Sequence, residues 1–408
     1  MHVEPHGIHA DTDRGREARE LIRRCVHCGF CLEACPTYRV LGDERDGPRG
    51  RIYLIKQVIE GAPATVAQPH LDRCLTCRAC EPACPSGMQY GRLLDLGREI
   101  VEESSVRPVT ERLARKALVR ALTAPSLFAT LLRIGQLIRP ALPAPLATMI
   151  PPREPTRPYP AARHARRMVV LDGCVQPAIA PGINIAAARV LDRIGISLVR
   201  VPGCCGALAH HLGDATRAHA AASRMITACE AALDAGCETI ISTASGCGVV
   251  VKDYAQLLRA RPELATAARR IAAATRDLSE VIDPAELRRL RADDTGAAAS
   301  VAFQSPCTLQ HGQRLSGRVE NLLQAAGYRL ASVRDADLCC GSAGGHSILK
   351  PALALELRAR KLNALLEAAP TAIGTANVGC LAHLAAASPV PVRHWIELVD
   401  AALAAGER

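Results

Sequence analysis

Aromatic residues are scarce in this chain, which holds one Trp, six Tyr and three Phe among 408 residues. Proteins that bind single-stranded nucleic acid stack bases on aromatic side chains, so this composition disfavours that function. The net charge of +10 comes mostly from scattered arginine, without a block of five or six basic residues that would form a nucleic-acid-binding arm. The sequence therefore predicts no nucleic-acid partner, although a mildly basic face suits an anionic membrane surface or an acidic partner.

Long hydrophobic runs are also missing. A transmembrane helix needs about 20 predominantly apolar residues. The best candidate is the uncharged segment between Arg120 and Arg133, which is shorter than that and contains Pro125. Residues 1–6 show no basic segment followed by an apolar core, so we expect no signal peptide. The sequence predicts a protein without a membrane span of its own.

Nucleotide-binding and hydrolase motifs are absent as well. No G-x-G-x-x-G follows a predicted strand, and neither a Walker loop nor G-x-S-x-G occurs. The glycine-rich stretch 341–346 directly follows a pair of cysteines, so it is not interpreted as a dinucleotide loop. We expect no flavin and no NAD on this chain, and we expect the substrate chemistry to take place on another polypeptide.

Cysteine, in contrast, is abundant, with 18 residues grouped in metal-type spacings that favour clusters and a reducing compartment over disulfides. Residues 25–36 read C-x₂-C-x₂-C-x₃-C-P, and the same run recurs at 74–85. In such a pair of runs three thiolates hold one [4Fe-4S] cluster, and the fourth, before proline, holds the other. The predicted ligands of the first cluster are Cys25, Cys28, Cys31 and Cys84. The predicted ligands of the second cluster are Cys74, Cys77, Cys80 and Cys35.

The alternative for these eight cysteines is a pair of structural zinc sites. Zinc needs only C-x₂₋₄-C pairs in fours, and it does not call for a third cysteine at the same step followed by x₃-C-P. Between the runs, residues 46–50 form a predicted turn and residues 52–59 a predicted helix. Arg49 and Arg51 in this stretch either lie near a cluster and shift its potential, or are ordinary solvated arginines.

The second half of the chain repeats itself. Short apolar runs alternate with helical patterns, which predicts α/β units, and cysteines follow the predicted strands. Each repeat supplies one cysteine, then an adjacent pair before glycine, then one more. The repeat cysteines are Cys174, Cys204, Cys205, Cys247, Cys307, Cys339, Cys340 and Cys380. Equivalent positions lie 133 to 135 residues apart, which indicates an internal duplication.

The repeat cysteines suit either an additional cluster or a thiol–disulfide site, and the alternative is a set of buried structural thiols. Cys229 and Cys237 have no counterpart in the second repeat and are interpreted as core residues. Five histidines lie in or near the cysteine loops, as ligands, hydrogen-bond donors to sulfur, proton carriers or structural residues. These histidines are His210, His211, His311, His346 and His383.

The predicted fold class is a multidomain α+β and α/β protein. A mostly helical, dicluster ferredoxin-type domain covers residues 1–110, and a helical segment with a Pro- and Arg-rich linker covers 111–167. The apolar part of that segment either packs on the chain's own surface or docks on a membrane or partner. The first cysteine-rich repeat covers 168–258, a helical insertion 259–299, and the second repeat 300–408.

Several stretches resemble the iron–sulfur subunits of bacterial respiratory 2-hydroxyacid dehydrogenases, and most closely those of glycolate oxidase, also called glycolate dehydrogenase. These stretches are Cys25–Tyr38, Leu41–Gln57, Leu71–Cys80, Thr243–Gly248, Cys307–His311, Leu338–Gly344 and Val392–Ile396. The resemblance implies flavin-binding partner subunits that oxidise glycolate to glyoxylate, with electrons leaving through iron–sulfur clusters toward quinone. It also implies a cytoplasmic protein, peripheral at the inner face of the cytoplasmic membrane.

One departure from related proteins concerns the repeats. In heterodisulfide reductases, which resemble the same repeats, each repeat ends in C-x-x-C and five cysteines hold a non-cubane cluster. Here Ala244 and Asn377 stand at the first of those positions, so each repeat offers four cysteines. Other hypotheses remain: a subunit for lactate or glycerol-3-phosphate oxidation, a heterodisulfide-reductase-like enzyme, and a cluster-bearing structural or sensor protein.

Overall fold

The computed structural model describes residues 1–4, 12–104, 107–143, 147, 150–153, 158–291 and 299–405. Parts of the predicted linker (154–157) and insertion (292–298) lie outside these residues. The chain forms two compact units. Unit 1 comprises Met1–Lys116, His211–Gly213 and Asp337–Arg360, and unit 2 comprises Ala117–His210, Asp214–Ala336 and Lys361–Arg408.

The first third of the chain is helical. Its helices are α1 (Asp13–Arg23), α2 (Phe30–Glu33), α3 (Pro36–Leu41), α4 (Pro48–Ile59), α5 (Gln68–Asp72), α6 (Tyr90–Ser104), α7 (Val109–Thr123) and α8 (Pro125–Ile138). Short 3₁₀ turns lie at Glu44–Asp46, Ala64–Val66 and Arg139–Ala141. Helices α1, α4 and α6 pack together around an aliphatic core. Gly97 of α6 permits the close approach of α4, because a Cβ there would lie 2.6 Å from Ile55 Cδ1.

The first cysteine-rich repeat contains a four-stranded parallel sheet in the order β2-β1-β3-β4. Its strands are β1 (Arg166–Gly173), β2 (Ile196–Pro202), β3 (Ile240–Ser242) and β4 (Thr275–Asp277). Its helices are α9 (Gln176–Ile179), α10 (Gly182–Arg193), α11 (Ala207–His211), α12 (Ala215–Asp234), α13 (Ser245–Lys252), α14 (Tyr254–Leu257), α15 (Ala265–Ala274), α16 (Leu278–Val281) and α17 (Pro284–Leu290), with a 3₁₀ turn at Pro262–Leu264.

The second repeat contains an equivalent parallel sheet in the order β6-β5-β7-β8. Its strands are β5 (Ser300–Gln304), β6 (Arg329–Leu330), β7 (Ala372–Thr375) and β8 (Val392–His394). Its helices are α18 (Arg318–Ala325), α19 (His346–Leu349), α20 (Pro351–Leu366), α21 (Val378–Ala385) and α22 (Trp395–Ala405), with a π-helical turn at Thr308–Gly312. Both sheets belong to unit 2, and one hydrophobic core contains residues of both, including the chain's single tryptophan, Trp395.

The predicted fold class is confirmed: a helical ferredoxin-type domain precedes two parallel-sheet repeats. The insertion 259–299 contains helices, as the sequence predicts, and it also contributes strand β4 to the first sheet, which the sequence does not predict. This strand is only three residues long and includes Arg276 and Asp277, so it lacks the apolar run that marks a central strand.

A buried histidine joins the second sheet to the first. His394 of β8 is 0% exposed, its Nε2 lies 2.9 Å from the carbonyl oxygen of Thr243, and its Nδ1 accepts the Ile396 N–H. Burial lowers the pKa of His394 from 6.5 to about 4. These contacts define a neutral imidazole that donates from Nε2.

This histidine predicts a pH dependence of stability. Between pH 6.5 and pH 4 the unfolded chain binds a proton at His394 that the folded chain does not, so the free energy of unfolding rises with pH. We expect a loss of about 3 kcal/mol between pH 6.5 and pH 4 from this group. Urea unfolding at several pH values measures the loss, and the His394→Gln variant should show a shallower slope. An unchanged slope would contradict the prediction.

Candidate metal centres

The two ferredoxin-type runs fold into matching loops. Within them His27 and Gly29 have φ of 57° and 86°, and Thr76 and Arg78 have φ of 55° and 57°. These residues occupy the same positions after Cys25 and after Cys74. Left-handed residues in such a loop turn backbone N–H groups toward a common concavity, an arrangement found at many iron–sulfur and anion sites.

The first loop surrounds a cavity in unit 1. All four predicted ligands of the first cluster line it, namely Cys25, Cys28, Cys31 and Cys84. Cys28 is exposed, and the nearby side chains of Val26 and Phe30 are 68% and 66% exposed. This cavity therefore lies at the protein surface.

The second loop surrounds a cavity in the same unit. The other four predicted ligands line it, namely Cys35, Cys74, Cys77 and Cys80. Three of these four side chains are buried, and Cys77 is half-buried. The second cavity is thus the more enclosed of the two.

The two cavities are neighbours. Pro48, Cys80 and Tyr90 line both of them, so single side chains separate one cavity from the other. An electron carrier needs its redox centres close together, as two cavities that share lining residues are. The geometry places the two predicted ligand sets on either side of a shared boundary.

The chemistry of the donors suits clusters. Burial raises the pKa of Cys31 to about 11 and that of Cys80 well above its usual range, so these thiols become thiolates only beside compensating cations. In the described part of the chain, no three Cys, His, Asp or Glu side chains converge as they would around one metal ion. Zinc holds four ligands about 2.0–2.3 Å from one point, whereas a cubane spreads its thiolates over four irons.

A buried arginine lies beside the second cavity. Arg51 is 0% exposed; it donates from Nε to the His70 carbonyl oxygen at 2.8 Å and from Nη2 to Thr37 Oγ1 at 3.1 Å. Its Nη1 lies 3.9 Å from Cys35 Sγ, and Nη2 lies 3.6 Å from the buried Asp46 carboxylate. These contacts exclude the solvated role for Arg51 and place its positive charge next to a predicted ligand.

The polar surroundings of this cavity favour negative charge on sulfur. Burial opposes the charged form of Arg51, but the Cys74 thiol, Tyr90 and the Cys35 thiol outweigh it and raise its pKa. The Tyr90 hydroxyl donates to Cys74 Sγ at 3.8 Å, and Thr37 Oγ1 lies 3.1 Å from Cys35 Sγ. Hydrogen bonds and positive charge near cluster sulfurs make reduction easier.

Arg49 occupies a different environment, at the first cavity. Its Nη1 donates to the His27 carbonyl oxygen at 3.2 Å, and its guanidinium is paired with Glu44. The carboxylate partner neutralises this arginine, which also has more solvent around it than Arg51 has. At the second cavity Asp46 faces both Arg51 and Arg73, at 3.6 and 3.0 Å, so one carboxylate is shared by two arginines and more positive charge remains there than at the first cavity.

The first repeat brings its four cysteines together in unit 2. Cys174 follows β1, the Cys204–Cys205 pair follows β2, and Cys247 follows β3, so all four lie at the carboxyl edge of one sheet. Hydrogen bonds connect the thiols in the order Cys174, Cys204, Cys205, Cys247. Thiol donors at Cys174 and Cys205, together with the Gly206 N–H, lower the pKa of Cys204.

The glycine after each adjacent pair has a steric role. Gly206 and Gly341 have φ of 89° and 88°, and a Cβ would lie 2.9 Å from the Ala218 carbonyl oxygen and 2.6 Å from that of Ala354, respectively. In each loop the glycine N–H donates to the first sulfur of the pair at 3.4 Å. The two loops thus share one backbone conformation that other residues would not adopt without strain.

The second repeat is distributed differently. Cys307 and Cys380 follow β5 and β7 in unit 2, while Cys339 and Cys340 belong to unit 1. Asn377, at the position of the missing C-x-x-C cysteine, donates from Nδ2 to Cys380 Sγ at 3.6 Å. The amide therefore contacts the sulfur of its own repeat instead of adding a thiolate.

The remaining candidates have simpler surroundings. Cys229 and Cys237 lie in the hydrophobic core of the first repeat. His346 of unit 1 is buried, and burial lowers its pKa to about 4, whereas His210, His211, His311 and His383 are half-buried.

Sequence reasoning missed several contributors to the second cavity. Tyr90 and the buried cluster of Asp46 with His70 and Arg73 lie 16 to 27 residues from their partners along the chain, and no motif marks them. The proline that ends each run is the sequence feature that comes closest to marking these surroundings, because it fixes the helix or turn after the fourth cysteine. Burial of Arg51 could be anticipated only from its position among the apolar residues of α4.

Comparison with known families matches the geometry. Residues 21–88 match the model of the 4Fe-4S dicluster domain, and residues 168–252 and 301–385 match that of the cysteine-rich domain. These matches define the class: an iron–sulfur protein with one dicluster domain and two cysteine-rich domains.

Relatives identify the family within that class. The chain is 48% identical over 396 residues to the glycolate oxidase iron-sulfur subunit of Escherichia coli (strain K12), covering 96% of each protein. It is 32% identical over 394 residues to the probable glycolate oxidase iron-sulfur subunit of Bacillus subtilis (strain 168), covering 88% of the chain and 87% of the relative. The chain belongs to the family of glycolate oxidase iron–sulfur subunits.

A more distant relative covers only part of the chain. Lactate utilization protein A of Geobacillus thermodenitrificans (strain NG80-2) is 25% identical over 231 residues, which is 53% of this chain and 92% of that protein. The similarity thus extends, over about half of this chain, to a protein named for lactate utilization.

Proposed function

We propose that this chain is the electron-transfer subunit of a flavin-dependent glycolate dehydrogenase complex. Partner subunits that bind flavin oxidise glycolate to glyoxylate, and this chain passes the electrons toward quinone at the inner face of the cytoplasmic membrane. The name and 48% identity of the Escherichia coli relative support the substrate. The two adjacent thiol-lined cavities are the observation that carries the electron-transfer role.

We assign the two [4Fe-4S] clusters by the cavities. Each cluster supplies one-electron redox chemistry when bound. The ligands proposed for cluster I, at the surface, are Cys25, Cys28, Cys31 and Cys84. The ligands proposed for cluster II, in the interior, are Cys35, Cys74, Cys77 and Cys80.

The residues around the cavities suggest a direction. Cys28 and the apolar side chains near it are exposed, so cluster I is the accessible port for a partner's flavin. Arg51, Tyr90 and Thr37 contact the sulfurs of Cys35 and Cys74 and would stabilise the added negative charge of a reduced cluster II held there. Such residues would favour entry of electrons at cluster I and their transfer toward cluster II.

The proposal extends to the cysteine-rich repeats. The four hydrogen-bonded thiols of the first repeat form a further redox site, either a cluster or a thiol–disulfide pair. The cysteines proposed for the two repeats are Cys174, Cys204, Cys205, Cys247, Cys307, Cys339, Cys340 and Cys380. Iron content distinguishes the two chemistries, because about eight irons saturate the ferredoxin-type domain alone.

Lactate is the second candidate substrate of the complex, because the relatives include lactate utilization proteins. The experiment uses this chain co-purified anaerobically with its flavin-binding partners. Glycolate should bleach the visible absorption of the clusters within seconds, and lactate and glycerol-3-phosphate should act more slowly. Faster bleaching by lactate would assign the complex to lactate, and no bleaching by any of the three would overturn the proposal.

The exposed apolar residues around cluster I predict a docking defect. We expect Phe30→Glu, at a side chain 66% exposed, to weaken copurification with the flavin-binding subunits by more than tenfold, because it places a charge in the contact. Iron content should not change, since Phe30 is not a ligand. Leu355→Glu, at a leucine on α20 that is 48% exposed, is the control. Equal effects of both variants would contradict the assignment of the port.

A further inference from the structure

Helix α8 carries an exposed aliphatic stripe. Leu127, Leu131, Ile134 and Ile138 follow the spacing i, i+4, i+7, i+11, which places them on one face of the helix. All four are 38% to 50% exposed, and Leu137 beside them is 80% exposed. No residue of this 14-residue helix is fully buried. A surface helix of a globular protein normally turns such a stripe toward the core.

The opposite face of α8 contacts other segments of unit 2. Helix α9 packs against α8. Gln136 Nε2 donates to the Pro151 carbonyl oxygen at 3.1 Å, and Arg139 Nε donates to the Ala147 carbonyl oxygen at 3.1 Å. Because these contacts lie on the other side of the helix, the aliphatic stripe faces outward.

Basic residues accompany the stripe. From Arg112 to Arg153 the chain has seven Lys and Arg and no Asp or Glu. Arg120 and Arg133 are exposed, and Arg133 lies on α8 four residues before the exposed Leu137, on the same side of the helix as that leucine. An aliphatic face bordered by arginine, in a stretch without acidic residues, is complementary to an anionic lipid surface.

The helix is suited to lie in a membrane interface. Fourteen residues of α helix extend about 21 Å, less than the hydrocarbon thickness of about 30 Å. Among the described residues no single helix is long and apolar enough to cross a bilayer. Helices α7 and α8 together reach the necessary length and apolar composition, but a bend of 96° separates them. Interfacial helices of this kind place their apolar face among the acyl chains and their basic residues among the headgroups.

We propose that α8 is the element that binds this protein to an anionic bilayer, by inserting Leu127, Leu131, Ile134 and Ile138 into the interface. The inference deepens the proposed function and rests on it only for the expectation of a membrane quinone. A protein partner is the other class of occupant, and the charge pattern favours lipid. Binding to protein is an outcome of the test below.

The experiment measures flotation of the full-length, cluster-containing protein with vesicles. One vesicle set contains phosphatidylglycerol and phosphatidylcholine in equal parts, and the other contains phosphatidylcholine alone. The protein should bind the anionic vesicles at least tenfold more tightly, and rising salt should weaken that binding. Absence of binding to anionic vesicles would overturn the proposal.

Variants locate the surface. Leu131→Glu with Ile134→Glu should reduce vesicle binding more than tenfold, while the matched pair Leu41→Glu with Leu355→Glu, also at exposed leucines, should leave it unchanged. Arg120→Gln with Arg133→Gln should weaken it roughly 30-fold and flatten the salt dependence. This second pair keeps the test valid even if the glutamate variants fold poorly. Equal loss in the control pair would overturn the proposal.

Two further measurements distinguish a failure of this inference from a failure of the proposed function. Iron content and glycolate-dependent bleaching should be unchanged in the α8 variants, because α8 lines neither cavity. If the α8 variants keep full vesicle binding but lose their flavin-binding partners, the helix is a protein-docking surface and the lipid proposal is wrong. If vesicle binding behaves as expected while bleaching fails, the proposed function fails instead.

Discussion

The Cys80→Ser variant, purified anaerobically, should contain about four fewer iron atoms per chain than the unchanged protein. Cys80 is 6% exposed and lines both cavities, so no external ligand reaches the place of its sulfur. Serine is a poor ligand for iron in a cubane, and cluster II is lost. Reduction of any centre beyond cluster I should then fall more than a hundredfold, because the path passes through the second cavity.

Cys229→Ala is the matched control for this variant. Cys229 is also buried, at 0% exposure on α12, but it lines neither cavity. Its iron content should equal that of the unchanged protein. Iron analysis and electron paramagnetic resonance spectra of the two variants measure the difference. Full iron in Cys80→Ser, or an equal loss in Cys229→Ala, would refute the assignment of ligands.

The second large effect is expected at Arg51. Replacing Arg51 by Leu should lower the reduction potential of cluster II by on the order of 100 mV. A unit charge about 6 Å away contributes about 3 kcal/mol at an effective dielectric constant of about 20. For one electron, about 1.4 kcal/mol corresponds to 59 mV. Arg51 is fully buried beside Cys35 Sγ, so solvent screens little of this interaction.

Two control variants separate charge from structure. Arg51→Lys keeps the positive charge and should shift the potential much less than Arg51→Leu does. Arg49→Gln, at the first cavity, removes an arginine that Glu44 already neutralises, so the potential of cluster II should hardly move. Redox titration followed by electron paramagnetic resonance gives all three potentials. An unchanged potential in Arg51→Leu would exclude the electrostatic account of the downhill step.

The central strands could be predicted from the sequence because they are apolar on both faces. The runs at 168–171, 240–242, 300–303 and 373–375 lie in β1, β3, β5 and β7, which have neighbours on both sides. Strands β4, β6 and β8 gave no such signal, since edge strands of two or three residues contain Arg276, Arg329 and Arg393. Parallel pairing with a central strand, a nonlocal interaction, decides their conformation.

The candidate site likewise has some features that the sequence predicts and others that it does not. Local spacing predicts which cysteines share a cavity, because a loop of three thiols and a proline turn are properties of neighbouring residues. The contacts of Arg51 with His70 and of Tyr90 with Cys74 depend on how α4, α5 and α6 pack. The assignment of Cys339 and Cys340 to unit 1, while the rest of the second repeat's cysteines belong to unit 2, is likewise a nonlocal property. No pattern within one segment encodes these relations.

The most direct test of the account is the iron and acid-labile sulfide content of the anaerobically purified full chain, combined with electron paramagnetic resonance after reduction. We predict at least about eight irons per chain and two interacting ferredoxin-type signals, as expected for neighbouring clusters in one unit. About twelve to sixteen irons would add clusters in the cysteine-rich repeats. Four or fewer irons, with zinc bound in their place, would contradict the account of this chain as an electron carrier.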